Sequence, residues 1–452
     1  MYNNKILVIL DQLDRDKALL KSSLLEVEPF QSQKDNVIVF DNVYSNSFPT
    51  QLSMSSLFGL SLPLDDGGYQ FGIRDKTHTL FDIMKNDGYK TNIFSAAAFV
   101  SPFFGFGQKH KTYNPCFMFH ELLRNLHKHY VDYYRKKYKK FPAESEMEME
   151  EIINNMFPSL IFHCDSALES DSNNILLSNY RIDFSSMRRY LIEESKVFDK
   201  DKTLYVKKIL ESKCNYFSNQ LELYKYLKRT FSWRRCLIKV YLATRVFIDF
   251  GLLSPFVVNY YISERRRVFN SSDSGRLVVN KFRKSYARNN ESSFYYIHLP
   301  EPHDGRYFTF DYWSGFNDLN REYRSFVKYL KKKLTGKSLV KSIFTIKRRY
   351  AFHHYEMSIG YSSNNLSTLK EIVNLDSDLL VVTSDHSHLI TEPSLYFLDN
   401  VKDPFDKFIN EVHFKVPVFL YSNSIKEKVN CSDIYSLYEI IPSLLTGNFN
   451  FI

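Results

Sequence analysis

Asp, His or a lone hydroxyl stands where a short apolar run stops at four places in the chain. Lys5 to Leu10 ends in Asp11, and Val37 to Phe40 leads through Asp41-Asn42-Val43-Tyr44 to Phe48-Pro49-Thr50. Ser293 to Leu299 contains His298 and passes into Pro302-His303-Asp304-Gly305, and Asp378 to Thr383 runs into Ser384-Asp385-His386-Ser387-His388. Asp and His are the side chains that hold Zn²⁺, Mn²⁺ or a harder divalent cation. A hydroxyl brought into such a shell is acidified and becomes a nucleophile toward an anionic ester.

Each of these residues also has a plainer use. Thr after Pro at the start of a helical pattern is most often an N-cap, satisfying the free N–H groups of the first turn. Asp11 serves equally well in a solvated loop or a helix cap. Asp385 and His386 could be a cap and a surface His. What favours chemistry is their shared position, because open α/β sheets take their ligands at the carboxyl ends of the strands.

The elements that must position them are legible as alternation. The short continuous apolar runs are the pattern of parallel strands buried on both faces. Between them, the sequence predicts a helix that starts at Thr79, which caps it, and stops at Gly88, followed by a strand over Asn92 to Ser95. Tyr355 to Val373 has helical spacing and is expected to pack on the sheet; Val416 to Tyr421 reads as a further strand and Ile434 to Leu445 as a last helix ahead of Gly447. This is βαβ grammar, so the expected fold class is α/β with a mostly parallel, doubly wound sheet and helices on both faces.

From 112 to 290 the grammar changes to a mainly helical, basic and aromatic-rich stretch, expected as an insertion between catalytic segments 1–111 and 291–452. Between Arg124 and Lys140 seven Lys or Arg face one Asp, interleaved with Tyr130, Tyr133, Tyr134 and Tyr138. Such a stretch can lie on an anionic bilayer surface or present a solvated basic face.

Composition bounds the rest. The 452 residues are 44% hydrophobic and 25% charged, which is the balance of an ordered globular chain, and the net charge of +9 favours anionic partners. Without a nucleic-acid recognition motif, no nucleic acid is expected as a partner. The five Cys residues are scattered without a CxxC pair, as reduced thiols would be. The start Met-Tyr-Asn-Asn-Lys enters a strand directly, and no run of about 20 apolar residues suggests a spanning helix. The expected location is cytoplasmic, with peripheral contact at the inner face of the membrane as a further option for the basic stretch.

Taken in order, the motifs resemble the sulfatase and alkaline-phosphatase superfamily. Asp11-Gln-Leu-Asp-Arg-Asp16 resembles its strand ending in a metal-binding Asp. Asn42-Val-Tyr44 with Phe48-Pro49-Thr50 and Ser53-x-x-Ser56-Leu-Phe resembles its nucleophile segment. Thr79-Leu-x-x-x-Met with Gly88-Tyr-x-Thr91, His298-Leu-x-x-Pro302-His303-Asp304, Tyr355-x-x-x-Ile359-x-Tyr361, Thr383-Ser384-Asp385-His386 and Lys415-Val416-Pro417 are similar to its later elements. The resemblance covers about residues 4–110 and 292–448 and implies an alkaline-phosphatase-like fold. It implies that Asp11, Thr50, Asp385 and His386 hold one divalent metal (Zn, Mn or Ca), with a second metal left open. Thr50 would attack, and His303 would contact the transferred group or protonate the leaving oxygen. His298, Asp304, His388, His413 and Lys415 complete the implied substrate-binding set.

Two departures from the family pattern shape the functional expectation. Formylglycine-dependent sulfatases carry a Cys or Ser in a C/S-x-P-S-R segment, whereas this chain has Thr50-Gln51-Leu52-Ser53; Thr cannot become formylglycine. Ser387 stands where Gly usually follows the Asp-His pair. The leading expectation is a metal-dependent hydrolase or transferase of phosphate-type esters with a Thr nucleophile, modifying a surface glycan or its lipid-linked precursor. The alternatives are a sulfate-ester hydrolase working without formylglycine, and a non-catalytic binding protein that kept the fold.

Overall fold

A computed structural model describes residues 2–13, 37–47, 50–69, 71–97, 99–107, 110–115, 143–169, 176–177, 180–211, 227–229, 244, 274–300, 359, 362–387, 414–423 and 433–447. The central element is strand β1 (Asn4–Leu10), whose side chains alternate between two cores: Leu7 and Ile9 enter one, Ile6, Val8 and Leu10 the other. With Ile6, Leu7, Val8 and Ile9 fully buried, each contributes about 1.5–3 kcal/mol of burial. This is why the strand reads as an unbroken apolar run.

Around it lie β2 (Val37–Tyr44), β3 (Lys90–Ser95), β4 (Lys111–Tyr113), β8 (Ser293–Leu299), β9 (Leu379–Thr383), β10 (Lys415–Tyr421) and β11 (Tyr435–Ser436). They form one eight-stranded sheet in the order β11-β2-β10-β9-β1-β8-β3-β4. β1 pairs in parallel with both β8 and β9, β3 pairs in parallel with β8 and β4, and β11 pairs in parallel with β2. β10 alone runs against its neighbours β2 and β9. The expectation of a mostly parallel α/β sheet holds. A second, antiparallel sheet of β5 (Leu176–Leu177), β6 (Tyr180–Ile182) and β7 (Leu227–Arg229) lies within the stretch expected as an insertion.

Both faces of the large sheet carry helices. On one face sit α1 (Thr50–Gly59), α2 (Leu80–Asn86), α3 (Ala143–Glu169) and α8 (Leu437–Thr446), whose buried residues share the Leu7–Ile9 core; α4 (Phe184–Lys200) and α5 (Lys202–Glu211) extend that core away from the sheet. On the other face, α6 (Ser274–Tyr286) supplies Val278, Val279 and Phe282, and helix α7 (362–372) supplies Leu366 and Leu369. Thus α3 and α6, although inside the stretch 112–290, belong to the two cores of the large sheet, α6 against β3 and β8 and α3 by way of the turn at Pro102–Phe104. The described part of the expected helix from Tyr355 to Val373 packs on the sheet as the spacing predicted.

Helix α2 starts as read from sequence. Thr79 accepts from Asp82 N–H while Asp82 reaches back to Thr79 N–H, a reciprocal capping box, and Gly88 takes φ 86° just beyond the end. The last helix departs from expectation at its start. Tyr435 and Ser436 pair with Val43 and Tyr44 of β2 as an edge strand, so the helix begins at Leu437 and stops at Gly447, whose φ is 75°. Among the described residues, no helix is long and apolar enough to cross a membrane.

Candidate metal centre and active site

Because β1 and β9 are parallel neighbours, with Ile9 beside Thr383, the loops that follow them emerge together at the carboxyl edge. Asp11 ends the first and Asp385-His386 the second. Thr50, the first residue of α1, arrives there from the β2 side. Asp11 and Thr50 are each 4% exposed, and Asp385 and His386 have no exposed surface. The Thr50 hydroxyl lies 3.2 Å from Asp11 Oδ1 and 3.1 Å from His386 Nε2. Both hydrogen-bond partners lie outside its own helix. Its geometry is therefore that of a group held in the site rather than of a residue folded back as a cap.

His386 Nδ1 lies 2.8 Å from the Ser387 carbonyl, which can only accept, so Nδ1 carries a hydrogen and Nε2 is the ring nitrogen turned to the site. Nε2 faces Thr50 Oγ1 and, at 3.3 Å, Asp385 Oδ2. Asp385 Oδ1 accepts from the backbone N–H of Gln12 at 2.9 Å, but Oδ2 is buried and takes no hydrogen bond. One ligand atom each from Asp11, Asp385 and His386 converges within 4.8 Å. Two carboxylates crowded together in a buried volume repel one another, and a cation offsets that repulsion. A two-carboxylate, one-imidazole set with a hydroxyl beside it suits Zn²⁺ or Mn²⁺, and the orphaned Asp385 oxygen is the place such an ion would fill.

The surroundings reinforce that charge pattern. His298, buried within β8 between Ile9 and Ser95, places Nε2 3.9 Å from Asp11 Oδ2. Tyr296, two residues earlier, is fully buried and its hydroxyl faces Met54 of α1. Burial holds its pKa well above the usual phenol value, and the negative charges of Asp385 and Asp11 add to the effect, so it stays neutral. Ser387, in place of the family's Gly, contributes its carbonyl to His386. It is not among the residues with positive φ, which apart from glycine are Gln12, Leu60 and Asp66 among the described residues. A Cβ is thus accommodated there without strain.

Lys415 starts β10 at the same sheet edge, but its ammonium donates to Asn42 Oδ1 at 2.9 Å and stands 5.8 Å from the Tyr44 ring centre. It lines the β2 side of the edge rather than joining the Asp11 cluster. His303, Asp304, His388 and His413 lie outside the described residues, as does the basic run from Arg124 to Lys140. Sequence reasoning passed over Gln12 and Ser384. Gln12 takes φ 63°, a conformation costly for a side-chain-bearing residue, and this turns its N–H onto Asp385. Ser384 Oγ accepts from Leu13 N–H at 2.8 Å and donates to the His386 carbonyl at 2.7 Å. A hydroxyl between an apolar strand and an Asp-His pair was the available signal.

The Sulfatase family model matches residues 3–156, about a third of the chain, carrying Asp11 and Thr50. Over that stretch the chain is similar to sulfatases. Among solved structures, the phosphonate monoester hydrolase of Agrobacterium radiobacter is similar at 11% identity over 99% of this chain and 73% of that one, with a TM-score of 0.47. The periplasmic domain of EptC from Escherichia coli, in complex with Zn, is 12% identical over 97% and 80% at a TM-score of 0.39. The soluble domain of lipooligosaccharide phosphoethanolamine transferase A from Neisseria meningitidis is 9% identical over 98% and 87% at 0.41. Overlays this loose carry no argument about activity. No curated protein matches the chain.

Proposed function

We propose that this sulfatase-like chain is a metal-dependent enzyme that cleaves or transfers a phosphate-type ester with Thr50 as nucleophile. The observation that carries the reading is the Thr50 hydroxyl held 3.2 Å from Asp11 and 3.1 Å from His386, beside an orphaned carboxylate oxygen of Asp385. Asp11, Asp385 and His386 would hold the divalent metal, with Thr50 beside it. When bound, that ion would lower the pKa of the hydroxyl and offset charge on the transferred group.

The chain's own residues supply the rest. The hydroxyl hydrogen of Thr50 can pass to Asp11, whose Oδ1 lies 3.2 Å away, so the oxygen is freed for attack while His386 Nε2 keeps its lone pair for the ion. The bond from Thr50 Oγ1 to phosphorus forms as the ester oxygen departs with its bonding pair and takes up a proton. Water or an acceptor hydroxyl then displaces the threonine oxygen at phosphorus and restores it. The first backbone N–H groups of α1 point toward the carboxyl edge, where they favour the anionic oxygens of a substrate. The sequence-based acceptor class, a surface glycan or its lipid-linked precursor, is part of the same proposal.

Sulfate esters are the second reading, favoured by the family match over residues 3–156. A screen of aryl phosphate monoesters, phosphodiesters and sulfates with added Mn²⁺ or Zn²⁺ separates the two. Phosphate-ester turnover that chelator removes is expected. Turnover confined to sulfates would replace the phosphoryl reading with the second.

A further inference from the structure

The loops after β1 and β9 are stitched together by two hydrogen bonds, and one of them uses a side chain to which the mechanism assigns no role. Gln12 N–H donates to Asp385 Oδ1 at 2.9 Å, and Leu13 N–H donates to Ser384 Oγ at 2.8 Å. Ser384 is completely buried and its hydroxyl hydrogen is directed at the His386 carbonyl, 2.7 Å away, with Asp385 Oδ1 a more distant 3.4 Å. One hydroxyl thus touches the loop that carries Asp11 and the backbone of the residue that carries the imidazole. It accepts from the first and donates to the second, so neither bond competes for the same atom.

We propose that Ser384 is the positioning residue that sets the spacing between Asp11 and the Asp385-His386 pair, and so sets metal affinity. The inference rests on the metal-centre reading above. The His386 carbonyl, held by Ser384, fixes the backbone of the loop; the neighbouring Ser387 carbonyl then receives Nδ1–H and leaves Nε2 facing Asp385 Oδ2. Leu13, which has no exposed surface, anchors the other end of the stitch in the core shared with Val8 and Leu10. Without the hydroxyl, the two strand-end loops keep their sheet pairing but lose the link that holds their ligands at ion-binding distance. Partners that orient metal ligands in this way are worth about 10- to 100-fold in affinity.

Thr383 supplies the control. Its hydroxyl is equally buried but donates to the Pro417 carbonyl of β10 at 2.7 Å, with the Ser384 carbonyl a more distant 3.4 Å, and it touches neither Asp11 nor His386. Mn²⁺ is titrated calorimetrically into chelator-stripped full-length protein, wild type, Ser384→Ala and Thr383→Val, with melting temperatures recorded without metal. Ser384→Ala is expected to bind Mn²⁺ about 10- to 100-fold more weakly, while Thr383→Val loses thermal stability and keeps its affinity. Equal affinities in wild type and Ser384→Ala, or equal losses in both variants, would overturn the positioning role alone. Wild-type protein that binds no Mn²⁺ would overturn this inference and the metal reading together. Where Ser384→Ala does not fold, Ser384→Cys, close in volume with only a weak S–H donor, takes its place in the comparison.

Discussion

At the scale of single residues, the site is defined by converging ligand atoms. Asp11, Asp385 and His386 turn them into one buried volume, and the Thr50 hydroxyl lies beside Asp11 and His386. A cation should therefore stabilise the fold as well as enable the chemistry. Added Mn²⁺ at about 100 times its dissociation constant is expected to stabilise by about 2.7 kcal/mol, read as a rise in melting temperature. Asp385→Asn, which removes the charge at the orphaned oxygen, is expected to abolish that rise; an undiminished rise in the variant would place the ion elsewhere. Asp11, Thr50, Asp385 and His386 were legible in the sequence because each follows a recognisable strand, and topology puts strand ends together. Ser384 and Gln12 were not, because their roles depend on which loop lies opposite and on a backbone angle, neither of which a single chain of letters displays.

At the scale of elements, α3 shows how a helix carries polar residues into a core. Ser159, His163 and Ser166 lie along one face of it, donating or accepting toward Phe103, Ser101 and Asn114 near the ends of β3 and β4. His163 is 1% exposed, and burial pushes its pKa down to about 4 despite its bond to the Asn114 carbonyl. The unfolded chain takes up a proton near pH 6.5 while the folded one does not until near pH 4. Stability therefore falls as pH drops through that window, by about 3 kcal/mol in total. Denaturant titrations at pH 7 and at pH 4 should show this loss, and His163→Gln, which keeps a donor but does not titrate, should reduce it by about that amount. An unchanged pH slope in the variant would remove His163 as its source. The sequence showed this helix only as part of a helical stretch that opens on an acidic patch, Glu144 to Glu151, since its apolar face is recognisable as a core face only once its neighbours are beside it.

At the scale of the molecule, the two edges of the sheet divide chemistry from stability. The amino edge is held by Asp378, fully buried, which receives the backbone and side-chain N–H of Asn4 at 3.0 and 3.1 Å and the hydroxyl of Tyr286. These bonds join β1, β9 and α6. Burial and donation to Asp378 push the Tyr286 hydroxyl up to about 12, so it remains a donor throughout the neutral range. Tyr286→Phe strips Asp378 of that donor and is expected to cost about 1–3 kcal/mol. Because β9 separates this edge from Asp385 by about 17 Å, Mn²⁺ affinity should not change. A joint loss of stability and affinity would contradict the division. The apolar runs made this sheet readable from sequence, whereas the packing of α3 and α6 from within the stretch 112–290 was not, because the acidic start of α3 and the basic composition of α6 masked their apolar faces.

The central claim is that Thr50 is the attacking group, and turnover by Thr50→Ala tests it most directly. With the best ester from the screen and saturating Mn²⁺, the account predicts a fall of about 10³-fold or more in kcat, with the variant folded as judged by its melting temperature. Turnover by folded Thr50→Ala equal to that of the wild type would contradict it.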